Sequence, residues 1–262
     1  MIREYYFPKG RKMIKILCLG SRVESVRCLR YLVKNVKNIK IIGCVPHFKT
    51  QPESVRRDYE NIISKFKIPK FRFQEISQVN YDLGLSFLFD KKVQYQEVDK
   101  PKLGFINLHL GPLPRFRGAN SISYAIKRAR KDNIYNFGVT MHYMDYELDT
   151  GPIIDLMDVP ILENDNAYKL YVRSSDSILP LFKKNIHKII NSKTKISAKK
   201  QDPKIKSFFY SKNELNHEID LNDPPEKIYD EIRALTFPGK PRPFATINGK
   251  RVYLYLEDTE LN

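Results

Sequence analysis

The chain predicts an α/β protein, and three observations lead there. Short apolar runs alternate with amphipathic stretches from Ile14 to Ile190, the pattern of repeated βαβ units. One of those runs, Leu103-Gly104-Phe105-Ile106-Asn107-Leu108-His109-Leu110, ends in a polar pair and is cut off by Gly111-Pro112-Leu113-Pro114, as a strand is at the carboxyl end of an open sheet. After Lys200 the character changes to short strand-like runs around Asn248-Gly249, the strongest short hairpin signal. The expected architecture is therefore a Rossmann-like, mostly parallel sheet flanked by helices over residues 1–200. A small C-terminal α+β subdomain with a β-hairpin follows over 201–262.

The elements follow in order. A strand is expected at Ile14-Lys15-Ile16-Leu17-Cys18-Leu19 with a turn at Gly20, then an amphipathic helix over 24–36 and a second strand over 39–45. A lone glycine in Gly20-Ser21-Arg22 is not a Gly-x-Gly-x-x-Gly fingerprint, so no dinucleotide is expected there. A helix over 55–66, a short apolar piece over 68–73 and a strand over 83–87 continue the alternation. Beyond the Asn107 strand come a helix over 121–130, a strand over 138–142 and a long helix over 166–190, interrupted or kinked at Pro180. In the C-terminal part, Lys206-Ser207-Phe208-Phe209-Tyr210 reads as a strand and 224–235 as a short helix. The hairpin then pairs 244–247 with 251–256. No internal repeat is visible.

The composition suits a soluble enzyme of 262 residues, long enough to bury a substantial core. No run approaches the ~18 to 20 apolar residues that span a bilayer. Met1 to Lys12 is mixed aromatic and basic without an apolar segment, so no signal peptide and a cytoplasmic location are expected. Cys18, Cys28 and Cys44 are spaced for neither a disulfide framework nor a zinc site; they read as small core residues, and no metal is expected. The formal net charge of +16 would suit nucleic acid, but the lysines are spread along the chain and dense only from Lys183 to Lys200. The same field would attract a small anionic substrate.

In a strand, side chains alternate, so Asn107 and His109 project together on the face of Phe105. Downstream come Gly138-Val139-Thr140-Met141-His142 and the stretch Met144-Asp145-Tyr146-Glu147-Leu148-Asp149-Thr150-Gly151. The block from Asn107 to Ile154 resembles the formyltransferase family that uses 10-formyltetrahydrofolate, through Asn-x-His-x-Gly-x-Leu-Pro-x-x-Arg-Gly, then Gly-Val-Thr-x-His, then Asp-x-Gly. Three pieces in that order are far more specific than any one alone.

The resemblance implies a catalytic trio of Asn107, His109 and Asp149. The residue types suit the chemistry: His109 as general base, Asn107 as a donor to the tetrahedral oxyanion, Asp149 as the carboxylate that favours the protonated imidazole. His142 reads as a supporting or core histidine. The family lays its pterin where Phe87, Leu88 and Phe89 and Asp145, Tyr146, Glu147 and Leu148 stand. Arg117, Gly118 and Asn120, ahead of a helix, would suit an anionic part of the substrate. Phe208, Phe209 and Tyr210 would suit a nucleobase.

The implied co-substrate is 10-formyltetrahydrofolate, and Ile232 to Gly239 resembles the region that opens the second domain of folate-dependent sugar and tRNA formyltransferases. The chain ends one hairpin later, most like bacterial nucleotide-sugar N-formyltransferases. The expected substrate is therefore a nucleotide-linked amino sugar, such as dTDP-4-amino-4,6-dideoxyglucose or its 3-amino isomer, destined for surface polysaccharide such as lipopolysaccharide O-antigen. A homodimer without nucleic-acid or membrane partners is implied. The alternatives are methionyl-tRNA formylation, or a basic nucleic-acid-binding protein on an inactive scaffold.

Overall fold

The computed structural model describes residues 13–20, 22–48, 51–210 and 215–257, so the expectation for Met1 to Lys12 lies outside the described residues. In chain order the elements are β1 (Ile14–Gly20), α1 (Val23–Asn35), β2 (Ile39–Pro46), α2 (Glu53–Lys65), a 3-10 turn (Phe73–Gln78), β3 (Leu83–Phe87) and α3 (Tyr95–Asp99). Then come β4 (Phe105–His109), β5 (Phe116–Gly118), α4 (Ser121–Asp132), β6 (Asn136–Tyr143), β7 (Ile153–Pro160) and α5 (Ala167–Asn191). The chain closes with β8 (Phe208–Tyr210), α6 (Pro225–Leu235), β9 (Phe244–Ile247) and β10 (Lys250–Tyr253).

Six strands hydrogen-bond in the order β2-β1-β3-β4-β6-β7, a mostly parallel sheet of the expected Rossmann-like kind. Strand β1 is parallel to both of its neighbours, whereas β7 runs antiparallel to β6. The chain divides into two compact units. The first runs to Ile106 and takes back Asn185–Ile196, and the second comprises Asn107–Lys184 and Ser197–Asn262.

In the first unit β1 is buried on both faces (Ile16, Leu17, Cys18, Leu19), and Val26, Leu29 and Leu32, which recur at helical spacing along α1, are buried as well. Cys18 pairs in register with Cys44 of β2. All three cysteines are free and buried, and burial pushes the Cys18 and Cys28 thiols well above their ordinary range. They behave as small apolar residues. The apolar piece over 68–73 makes a single bridge, Lys70 against Cys44, rather than a strand. Its extension is cut short because Glu75 accepts the Arg72 backbone N–H and starts the 3-10 turn.

In the second unit β7 was not anticipated. Its Asp155 and Asp158 interrupt the apolar pattern, which an edge strand paired on one side tolerates. Helix α5 is continuous through Pro180 rather than interrupted. The C-terminal elements join the same unit: β8 adds to β5 in parallel, and the β9-β10 hairpin turns at Asn248 and Gly249, both at positive φ as a type I′ turn requires. Helix α6 is tied in by Arg233, only 1% exposed, whose guanidinium donates to Asp230 and to the carbonyls of Leu162, Glu163 and Asp165. A buried guanidinium is tolerated because its charge is paired with Asp230 and its Nε and Nη1 find acceptors.

Candidate active site

The site is built within the second unit. Strand β4 ends in Asn107 and His109, and β6 brings His142 beside them. Asn107 Nδ2 lies 3.2 Å from His142 Nε2, and His142 Nδ1 lies 2.8 Å from the Tyr143 carbonyl. A carbonyl can only accept, so Nδ1 carries the hydrogen and Nε2 is left as the acceptor for the Asn107 amide. Burial pushes the His142 imidazole down to about 4, against the opposing pull of the Asp149 carboxylate. A neutral His142 thus fixes one N–H of Asn107 and leaves the second for a ligand.

His109 is held in the same way. Its Nε2 stands 2.8 Å from the Phe116 carbonyl, so that nitrogen bears the hydrogen of the neutral ring. The lone pair is then on Nδ1, which faces Asp149 Oδ2 at 3.6 Å. That gap is longer than a hydrogen bond, and a proton arriving on Nδ1 would sit beside the carboxylate. The Gly of the first motif has a steric reason: a Cβ on Gly111 would stand 2.8 Å from His109 Nε2 and 3.0 Å from the Phe116 carbonyl oxygen. Only a glycine leaves room for their hydrogen bond.

Asp149 is 8% exposed and has φ 57, a left-handed backbone that costs an Asp about 1 kcal/mol. Its Oδ2 accepts the Gly118 N–H at 2.9 Å, and its Oδ1 stands 3.6 Å from His142 Nε2. One carboxylate thereby faces both imidazoles. The motif's Gly151 packs on the end of β6, where a Cβ would fall 1.9 Å from the Tyr143 carbonyl oxygen that orients His142. Thr140, fully buried, donates to the Gly111 carbonyl at 2.7 Å and accepts the Leu113 N–H at 3.3 Å. It ties β6 to the proline-rich turn.

The other residues singled out from the sequence are distributed as follows. Arg117 donates through Nε and Nη2 to Gln201 Oε1 at 3.1 and 2.7 Å. Asn120 precedes α4 with a left-handed backbone. Phe208 packs against Phe116, with the Arg128 guanidinium 3.8 Å above its ring, while Phe209 and Tyr210 are described by backbone alone. In the loop before Asp149, Asp145 accepts from the Thr150 hydroxyl, and Tyr146 and Leu148 are exposed. Phe87, Leu88 and Phe89 belong to the first unit: Phe87 is buried, Leu88 takes φ 53, and Phe89 packs on Phe73 and His47. Among the described residues no group of three or more His, Cys, Asp or Glu is placed to hold a metal ion.

Two residues that sequence reasoning did not single out complete the geometry. Thr140 lies inside a quoted motif, where its type could have been noticed. Gln201 stands among lysines 52 positions beyond Asp149, and nothing in its neighbourhood marks it.

Comparison with known proteins bears on the family. The family model described as formyl transferase matches residues 62–180. A methionyl-tRNA formyltransferase of Fusobacterium nucleatum is 31% identical over 259 residues, which cover 95% of this chain and 80% of the relative. The crystal structure of a 4-N formyltransferase from Francisella tularensis is similar at TM-score 0.77 and 23% identity, covering 95% of this chain and 98% of that one. An N-formyltransferase from Helicobacter canadensis, in complex with folinic acid and dTDP-3-aminofucose, is similar at TM-score 0.71 and 26% identity, over 92% of this chain and 86% of that one. The chain belongs to the folate-dependent formyltransferase family and is a formyl-transferring enzyme.

Proposed function

We propose that this enzyme moves the formyl group of 10-formyltetrahydrofolate to the amino group of a nucleotide-linked amino sugar. The observation that carries the chemistry is the single buried carboxylate of Asp149 facing His109 at 3.6 Å, with Asn107 oriented by His142 alongside. The substrate amine in its neutral form attacks the formyl carbon, and the new C–N bond creates an oxyanion to which the second N–H of Asn107 donates. His109 Nδ1 takes the proton released from the nitrogen, and Asp149 stabilises the resulting imidazolium. Collapse of the oxyanion breaks the bond from the formyl carbon to N10, which takes up that proton as tetrahydrofolate departs.

For the substrate, support comes from the likeness over 92% of this chain to the Helicobacter canadensis N-formyltransferase, which holds a dTDP-linked amino sugar and a folate. The curated methionyl-tRNA formyltransferases and the net charge of +16 favour charged initiator tRNA as the second reading. A panel of dTDP-, UDP- and GDP-linked amino sugars and charged initiator tRNA, each assayed with the folate donor, separates the two. Turnover on an amino sugar with none on tRNA is expected. Efficient formylation of the tRNA alone would replace the proposal with the second reading. The proposed biological setting is surface polysaccharide assembly in the cytoplasm by a homodimer.

A further inference from the structure

The catalytic carboxylate sits on a left-handed residue, and something must hold that loop. Gln201 Nε2 lies 2.8 Å from the Asp149 carbonyl and 2.9 Å from the Gly151 carbonyl, so both of its hydrogens go to the backbone on either side of Thr150. Its Oε1 receives both Arg117 bonds, at 3.1 and 2.7 Å. The amide orientation is not arbitrary: turned over, its N–H groups would face the guanidinium and its oxygen would face two carbonyls. All four hydrogen-bonding positions of this side chain are filled, on partners 50 or more residues distant in sequence. Arg117 in turn belongs to β5, and its neighbour Gly118 donates the backbone N–H that Asp149 Oδ2 accepts. The loop bearing Asp149 is thus fixed twice from one strand, directly through Gly118 and indirectly through Arg117 and Gln201.

We infer that Gln201 is a positioning residue for the reaction, holding the Asp149 loop so that the carboxylate meets His109. The inference deepens the proposed function and rests on it for its kinetic consequence. Its geometric half does not. In Gln201→Glu the side chain still accepts from Arg117, at least as strongly, but can donate to neither carbonyl at neutral pH. In Gln201→Leu both sets of bonds are lost.

The test compares these variants with Ile219→Val, a core change in a separate cluster of the unit that holds no residue of the site. Both Gln201 variants should lose about 10- to 100-fold in turnover, with Michaelis constants within about threefold, and should move the pH profile of turnover while Ile219→Val does not. Amide hydrogen exchange gives a readout independent of activity. The Gly118 N–H should exchange at least tenfold faster in both variants while the β6 and β7 amides stay protected. Near-normal turnover with a protected Gly118 amide in Gln201→Glu would overturn the inference, as would losses that merely track the fall in stability. If the wild-type chain formylated no amine, the proposed function would fail, and the exchange experiment would still decide whether Gln201 holds the loop.

Discussion

Asn107 Nδ2 and His142 Nε2 stand 3.2 Å apart, and the hydrogen bond between them sets which way the Asn107 amide faces. Substituting His142 by Phe keeps the bulk and removes the acceptor. Turnover should fall about 10- to 100-fold, less than the roughly 100- to 1,000-fold expected for Asn107→Ala. Steady-state kinetics checks this. A His142→Phe variant with wild-type turnover would mean that Asn107 needs no orienting partner.

His109→Asn removes the imidazole whose Nδ1 faces Asp149 Oδ2 at 3.6 Å. A loss on the order of 100- to 10,000-fold in rate is expected, with the fold intact by circular dichroism. A modest loss would assign the proton to another acceptor.

His142 also makes stability depend on pH. Its folded-state value of about 4 lies below the ordinary 6.5, so between those values the unfolded chain binds a proton there that the folded chain does not. Its contribution to stability is complete above pH 6.5, falls as pH drops through the window and flattens below about 4. The loss is on the order of 3 kcal/mol. Urea midpoints measured from pH 7 to 4 should fall less steeply for His142→Gln than for wild type. Parallel profiles would place the proton uptake elsewhere.

The two motif glycines should fail differently. Gly151→Ala pushes a methyl into the fixed Tyr143 carbonyl, 1.9 Å away, and should cost several degrees in Tm or prevent recovery of folded protein. Gly111→Ala meets the far end of the His109 side chain at 2.8 Å as well as the Phe116 carbonyl. It should therefore lose more activity than stability. Thermal melts and kinetics on both variants, giving equal stability losses, would contradict the distinction.

Much of this was legible in the sequence because the determinants are local. The alternation around β1, β2 and β3 and the Asn-Gly hairpin are set by burial and turn chemistry over a few residues. Asn107 and His109 share a face because a strand alternates, and the motif order pointed to Asp149. What stayed hidden depends on long-range partners. Strand β7 carries an edge strand's mixed pattern, and α5 runs through Pro180 where local propensity argued for a break. Gln201 and Arg233 are ordinary polar residues until the fold supplies carbonyls 50 to 71 positions away.

The division of the chain into two units has a bearing on how the enzyme can be taken apart. The polypeptide passes between them at Ile106 to Asn107, again within α5 between Lys184 and Asn185, and a third time at Ile196 to Ser197. Neither unit is therefore a contiguous fragment, and no single truncation or protease cut releases one whole. Removing everything from Lys206 onward would strip β8, α6 and the hairpin, with the buried Arg233, from the unit that carries Asn107, His109 and Asp149. A chimera that swaps substrate preference between relatives will need paired exchanges at matched crossover points rather than one splice.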